Sequence, residues 1–220
     1  MRKLLLFATL ACAPTIICAQ EREPIYDAGI VTCDSSTSAK PLHWVESSSG
    51  NAAAVELAVS ISGSDDSRHC ITSWKLHVRA KGSEERTLAV AERDDTPEDD
   101  EWVEENSFGI DAWSKDGTMV LTSQIEAQGD WDETTPIVFD FRTNIQYRVE
   151  LYPLFKNLIS RDCYVVYRAL GFSDDGGVLI SAMSTDDDRE PGTKACFPES
   201  RWRLDFRQSR ISPVSPRAGR

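Results

Sequence analysis

The stretch that decides the fold is residues 108–149, which read FGIDAWSKDGTMVLTSQIEAQGDWDETTPIVFDFRTNIQYRV. It contains a tight turn, Ser114-Lys115-Asp116-Gly117, followed by an apolar run, an acidic loop, an alternating segment and one more apolar segment. Because glycine reaches a positive φ without steric cost, a turn of this kind between apolar runs predicts a hairpin. The stretch as a whole predicts a unit of four antiparallel strands.

The same unit occurs three times along the chain. Its turn has Ser at the first place and Gly at the fourth in each copy, at residues 47–50, 114–117 and 173–176. An apolar segment follows each turn, at residues 55–61, 119–125 and 178–183. A fixed order of features at a fixed period is typical of a repeat protein in which each repeat is one supersecondary unit.

An alternating strand and a fourth strand complete each copy. Apolar and polar residues alternate in the segments that end at Arg79, Arg142 and Arg207, which are 63 and 65 residues apart, although the middle segment alternates only in part. Alternation predicts a strand with one buried and one polar face, so we expect one face of these sheets to be exposed to solvent. The fourth strands are expected at residues 87–91, 147–151 and 211–214.

The repeats divide the chain into six expected parts. Residues 92–107 are dense in Asp and Glu, which is typical of a solvated linker, and the last residues contain two prolines and are expected to fray. The parts are a signal peptide at 1–19, a first repeat with an N-terminal extension at 20–91, an acidic linker at 92–107, a second repeat at 108–153, a third repeat at 154–211 and a flexible tail at 212–220.

The first 19 residues have the layout of a secretory signal peptide. Arg2 and Lys3 precede an apolar run, and the segment ends on the small residue Ala19. This pattern predicts a secreted or periplasmic protein, and no later run has the ~20 apolar residues that a membrane span needs. The alternative is a lipoprotein that is acylated at Cys12 or Cys18.

The chain is strongly acidic. Its formal net charge is −12, and loss of Arg2 and Lys3 with the leader leaves 22 basic against 36 acidic residues, a charge of −14. This balance argues against nucleic acid and anionic membrane surfaces as partners. Basic partners and metal cations remain open, as does the simpler role of keeping a β-rich protein soluble and its strand edges unattractive to neighbours.

Four cysteines follow the leader, an even number that predicts disulfides behind a signal peptide. Cys33 and Cys163 come before the turns of the first and third copies, and Cys70 and Cys196 come just ahead of the alternating strands. The symmetry of the repeat favours the local pairs Cys33–Cys70 and Cys163–Cys196. The pairing of Cys33 with Cys163 and of Cys70 with Cys196 keeps the same symmetry but needs the outer repeats to touch.

The acidic loops between the second and third strands of each copy are the candidate metal site. Calcium takes six to eight oxygen ligands and favours carboxylates clustered on loops. Equivalent loops are expected at one end of the molecule, so a calcium ion is a possible cofactor although no D-x-D-x-D-G loop is present. The candidate ligands are Asp130, Asp132, Glu133, Asp186, Asp187 and Asp188.

The repeated unit resembles blades of bacterial β-propellers of the WD40-like, TolB-like kind, in which an S-x-D-G turn joins the first two strands of a four-stranded blade. The turns at 114–117 and 173–176 match this pattern, and the turn at 47–50 lacks the Asp. The segments Phe139-Asp140-Phe141 and Leu204-Asp205-Phe206 look like the third strand of such a blade. The resemblance implies an all-β protein of three four-stranded antiparallel blade-like repeats.

Three repeats are fewer than the four to eight blades that close a propeller, and a period near 64 exceeds the usual 40 to 50. The fold is therefore expected to be a partial or open β-propeller, half of a dimeric ring, or a β-sandwich. An unclosed arrangement leaves exposed strand edges. We expect residues 20–32 to cap them, or a two-fold homodimer to complete a six-bladed ring.

The sequence contains none of the common catalytic motifs: no G-x-S-x-G, no H-E-x-x-H, no phosphate loop and no dinucleotide fingerprint. The first hypothesis is therefore a secreted, non-catalytic module that binds a protein or a small molecule. The alternative is an extracytoplasmic hydrolase that uses loop carboxylates, with or without calcium. A pocket with two inward carboxyl groups of raised pKa would favour the enzyme.

Overall fold

The computed structural model describes residues 26–27, 42–62, 69–94, 104–128, 131–160, 163–184 and 196–214. Within these ranges almost all regular structure is β-strand. The elements are β1 (Tyr26–Asp27), β2 (Val45–Glu46), β3 (Ala52–Ser62), β4 (His69–Arg79), β5 (Glu85–Asp94), β6 (Glu104–Trp113), β7 (Met119–Gln128), β8 (Trp131–Asp140), β9 (Ile145–Arg148), α1 (Tyr152–Phe155), β10 (Val165–Phe172), β11 (Val178–Ser184), β12 (Ser200–Asp205) and β13 (Arg210–Pro213).

Each predicted repeat forms one antiparallel sheet of four sequential strands. The first sheet has the order β2-β3-β4-β5 and the third has the order β10-β11-β12-β13. The second sheet, β6-β7-β8-β9, carries β1 as a fifth strand beside β6. None of the sheets closes into a barrel, so the predicted fold class, open and blade-like or sandwich-like, is confirmed.

The repeated Ser-to-Gly turn joins the first two strands of every sheet, as predicted. The fourth-place glycine has φ of 84° at Gly50, 67° at Gly117 and 82° at Gly176, a region that side chains with a Cβ rarely adopt. In each turn the glycine N–H donates to the carbonyl of the first serine, over 2.8 to 3.0 Å. The turn geometry therefore explains why this pattern repeats.

The strands reach further into the acidic segments than the sequence indicated. β8 begins at Trp131, and Glu133 pairs with Glu126 of the neighbouring strand β7. Asp132 and Glu133 therefore belong to a strand, and the prediction of a loop there is wrong. The threonines that follow favour a strand, and the pairing of β7 with β8 continues through these acidic positions. Both ends of the segment predicted as a linker are likewise strands, since β5 runs to Asp94 and β6 starts at Glu104.

The second sheet is stacked between the other two. One of its faces shares a hydrophobic core with the first sheet, where Trp74 and Leu76 of β4 meet Phe108 of β6. Its other face shares a second core with the third sheet, which includes Val138 of β8 and Ile180 of β11. The expectation of a solvent-exposed face on each sheet is therefore wrong for the second sheet: residues 134–140 of β8 are all buried.

The N-terminal extension pairs with the second sheet. Tyr26 aligns with Ile110 and Asp27 with Gly109, so β1 covers part of the free edge of β6. These two residues are the part of the expected 20–32 cap that the structure describes. The homodimer stays a prediction.

A disulfide joins Cys163 to Cys196, as the local pairing predicts. It ties the entry to β10 to the loop before β12, within the third repeat. Cys70 is also disulfide-bonded, while its expected partner Cys33 lies outside the described residues. Among the helices of the described ranges, none has the length and apolar composition of a membrane span.

Candidate functional site

A cavity of about 620 Å³ opens between the second and third sheets, and we call it the inter-sheet cleft. Its wall comes from β7, β8 and the end of β9, from the connection that contains α1, and from the start of β10. Pocket volumes between about 300 and 1,000 Å³ are typical of ligand sites. The cleft therefore has room for a small molecule or for one side chain with its neighbouring peptide groups.

The cleft forms because β9 is shorter than β8. Arg148, the last residue of β9, aligns with Ile137, and Val149 still donates a backbone hydrogen bond to Pro136 over 3.1 Å, whereas β8 extends back to Trp131. The chain then turns away through Glu150 into α1. Phe155 of this helix is fully buried and fixes the connection against β10, with its ring centroid 4.8 Å from that of Tyr167.

Three glutamates line the cleft, and two of them face each other in the sheet. Glu126 of β7 and Glu133 of β8 are register partners, and Glu150 follows β9. Burial raises the pKa of the Glu133 carboxyl, and the negative charges of Glu126 and Glu150 raise it further, while Arg148 offsets part of this effect. The cleft is thus a partly buried, electronegative site.

The arginine of the cleft is already engaged by one of these carboxylates. A nitrogen of Arg148 lies 3.7 Å from Oε1 of Glu126, and the same guanidinium donates a hydrogen bond to the side-chain carbonyl of Gln124. Gln124 in turn donates to Glu126 over 2.6 Å. Within the described ranges, no basic side chain lies within 4 Å of Glu133 or Glu150, so these two carboxylates have no ion-pair partner there.

Three tyrosines form the aromatic part of the wall. Tyr152 is exposed, Tyr164 is half-buried, and Tyr167 is only 4% exposed. The hydroxyl of Tyr167 is buried and, in the part of the chain that the structure describes, has no hydrogen-bond partner. Burial raises the pKa of Tyr167 well above its usual range, so this hydroxyl stays protonated. An unpaired buried hydroxyl costs free energy, which a ligand can recover by bonding to it.

Most of the predicted calcium ligands lie outside the part of the chain that the structure describes. Glu133 lines the cleft. Asp132 lies on β8, and its side chain is not among those that the structure describes. Asp130 and the three aspartates 186–188 lie outside the described residues. No group of three His, Cys, Asp or Glu side chains that could hold a metal ion occurs among the residues described. Calcium binding therefore stays a prediction.

Sequence reasoning missed Glu126, Arg148, Glu150 and Tyr167. The position of each depends on where β9 ends and on how the connection through α1 crosses to β10, which no motif encodes. Glu133 gives a partial signal, because its charge makes it a candidate metal ligand. The tyrosines gave none, because single aromatic residues beside strands are ordinary core residues.

A second group of titratable side chains lies on the first sheet. Nε2 of His77 lies 3.0 Å from Glu56 of β3, and its Nδ1 lies 2.8 Å from Glu85 of β5. His77 is 4% exposed and sits on the strand between these two. This arrangement ties three neighbouring strands together and is a structural feature of the sheet.

The chain matches no protein-family model, and comparison with curated proteins and with solved structures finds no significant match. The three four-stranded antiparallel sheets are compatible with blade-like repeats. The likeness to propeller blades therefore rests on the repeated turn and on the order of the strands.

Proposed function

We propose that this protein is a secreted, non-catalytic β-repeat module that binds a ligand in the inter-sheet cleft. The observation that carries the proposal is Tyr167, a residue of the cavity wall whose buried hydroxyl lacks a hydrogen-bond partner among the described residues. A concave site with an aromatic wall and a few convergent polar groups is the usual form of a ligand site. The leader-like first 19 residues and the Cys163–Cys196 disulfide support an extracytoplasmic location.

The carboxyl groups support binding better than acid–base catalysis. An enzyme that uses two carboxyl groups as acid and base needs both at the reacting bond, with separated pKa values. One cleft carboxyl, that of Glu133, has a raised pKa. A second carboxyl with a raised pKa among the described residues, that of Asp111, is not part of the cleft wall.

Ligand-observed NMR with three chemically different probes tests the proposal: Nα-acetyl-arginine methylamide, maltotriose and hexanoate. We expect at least one probe to show saturation transfer, and Tyr167→Phe to weaken it several-fold because only the hydroxyl is lost. Tyr147→Phe is the matched control, since Tyr147 packs against Phe206 and is not part of the cleft wall. Absence of transfer to every probe at millimolar concentration would contradict the proposal. Conversion of a probe to products that Glu133→Gln abolishes would support the hydrolase instead.

A further inference from the structure

We propose that the inter-sheet cleft recognises an organic cation, the guanidinium or ammonium group of a basic peptide side chain. This inference rests on the proposed function and names the ligand class of the same site. It depends on three features of the cleft: an excess of carboxylates over cationic groups, a buried hydroxyl without a partner in the described structure, and tyrosine rings in the same wall.

The charge of the cleft is unbalanced. Glu126, Glu133 and Glu150 supply three carboxylates against the single guanidinium of Arg148, which pairs with Glu126. Like charges that face each other directly across a sheet are destabilising, and Glu126 and Glu133 stand in this relation. A cationic group beside Glu133 would offset this repulsion. Removal of a charged pair from bulk water also strengthens its attraction.

The polar and aromatic groups of the cleft suit the same ligand. The Tyr167 hydroxyl can accept a hydrogen bond from an N–H donor, and it has no other partner in the described structure. Tyrosine rings attract cations through the negative charge of their faces, and Tyr152 and Tyr164 line the same cavity. A carboxylate, a hydroxyl acceptor and aromatic faces together form the usual setting for a guanidinium or ammonium group.

The cleft and the whole chain favour a peptide as the carrier of that cation. A volume of about 620 Å³ exceeds that of one basic side chain, so adjoining peptide groups fit beside it. The net charge of the full sequence is −12, which attracts basic partners at long range and repels acidic ones.

Isothermal titration calorimetry with two matched probes tests the inference. Nα-acetyl-arginine methylamide carries a guanidinium, and Nα-acetyl-citrulline methylamide has nearly the same shape with a neutral urea group. We expect the arginine probe to bind at least about tenfold more tightly, because it adds a charge-assisted contact. Its affinity should fall as salt is added, since the cleft is partly open to solvent.

Variants locate the effect at the cleft. Glu133→Gln should lower the affinity for the arginine probe about tenfold and leave the citrulline probe unchanged. The control is Glu84→Gln, an exposed glutamate between β4 and β5 that should change neither affinity. Thermal unfolding of both variants checks that they remain folded.

The outcomes separate the two proposals. Equal affinity for the arginine and citrulline probes would overturn the cationic ligand, as would an arginine affinity that Glu133→Gln leaves unchanged. Binding of maltotriose or hexanoate in the cleft, with none of the arginine probe, would overturn this inference and leave the proposed function standing. Absence of binding by any probe would overturn both.

Discussion

The hydroxyl of Ser49 donates a hydrogen bond of 2.7 Å to the backbone carbonyl of Gly117, and so joins the repeated turn of the first sheet to that of the second. Asn51 donates to the same carbonyl over 3.0 Å. A Cβ placed on Gly117 would lie 2.9 Å from the backbone nitrogen of Ser49. The two turns are therefore packed against each other, and Gly117 is required both for its φ and for this close approach.

Gly117→Ala should destabilise the protein more than Gly176→Ala. Both substitutions place alanine at positive φ, which costs about 1–2 kcal/mol. At Gly176 a Cβ meets no atom within 4 Å, whereas at Gly117 the clash with the first repeat should add about 1–3 kcal/mol. Urea unfolding of the two variants measures the difference. Equal losses of stability would show that the two turns do not pack in this way.

Asp140→Ala should cost more than Asp205→Ala, although the two aspartates occupy equivalent places at the ends of β8 and β12. Each accepts the backbone N–H of the arginine two residues later, over 2.9 Å and 3.1 Å. Asp140 is buried and its Oδ2 also lies 3.5 Å from Arg207 of the third repeat. Because Arg207 is half exposed, we expect an extra cost of about 1–2 kcal/mol in chemical unfolding. A larger loss at Asp205 would contradict the bridge between sheets.

Removal of the Cys163–Cys196 disulfide should lower the free energy of unfolding by about 3–4 kcal/mol, because the bond closes a long loop in the unfolded chain. The two cysteines are 33 residues apart. Urea unfolding of the variant with both cysteines changed to alanine measures the effect. A variant as stable as the wild type would show that the bond does not constrain the unfolded chain.

Asp111→Asn should change how stability depends on pH. Asp111 lies at a bulge between Ile110 and Ala112, and burial raises the pKa of its carboxyl to about 7, although Ser123 donates a hydrogen bond that lowers it. A carboxyl with a raised pKa in the folded state binds its proton more tightly there than in the unfolded chain. Its contribution to stability is therefore complete below its ordinary value of 3.8 and is lost as the pH rises to about 7.

Urea unfolding at a series of pH values measures this contribution. Between these two pH values the wild type should lose stability relative to Asp111→Asn, which cannot ionise at this position. Ser123→Ala should extend the loss to higher pH, because the hydrogen bond that lowers the pKa is removed. Parallel pH profiles of the wild type and Asp111→Asn would mean that the carboxyl is not buried in this way.

The sequence predicts which strands form each sheet, because the strands and the turns between them depend on short-range patterns. The turns ending in Gly50, Gly117 and Gly176 need only local chemistry. The positions of Cys163 and Cys196 in the third repeat match those of Cys33 and Cys70 in the first, and this symmetry favours their pairing. The residues at which the strands end are harder to predict from the sequence. Acidic residues such as Glu133 and Asp94 look like loop residues in the sequence, but each is paired with a neighbouring strand of its hairpin.

The stacking of the sheets and the cleft could not be derived in the same way. Alternation in the outer sheets predicted a polar face, but Val138 makes both faces of β8 apolar and allows the second sheet to be covered twice. The cleft arises from the early end of β9 and from Phe155, which anchors the short helix beside Tyr167. These contacts join different elements of the chain, so the sequence of no single segment predicts them.

The central claim, that the inter-sheet cleft is a site for a cationic ligand, is tested most directly by a crystal structure with Nα-acetyl-arginine methylamide. We expect the guanidinium to lie within hydrogen-bonding distance of the Glu133 carboxylate and the Tyr167 hydroxyl. A complex in which the probe occupies another surface while the cleft stays unoccupied would contradict it.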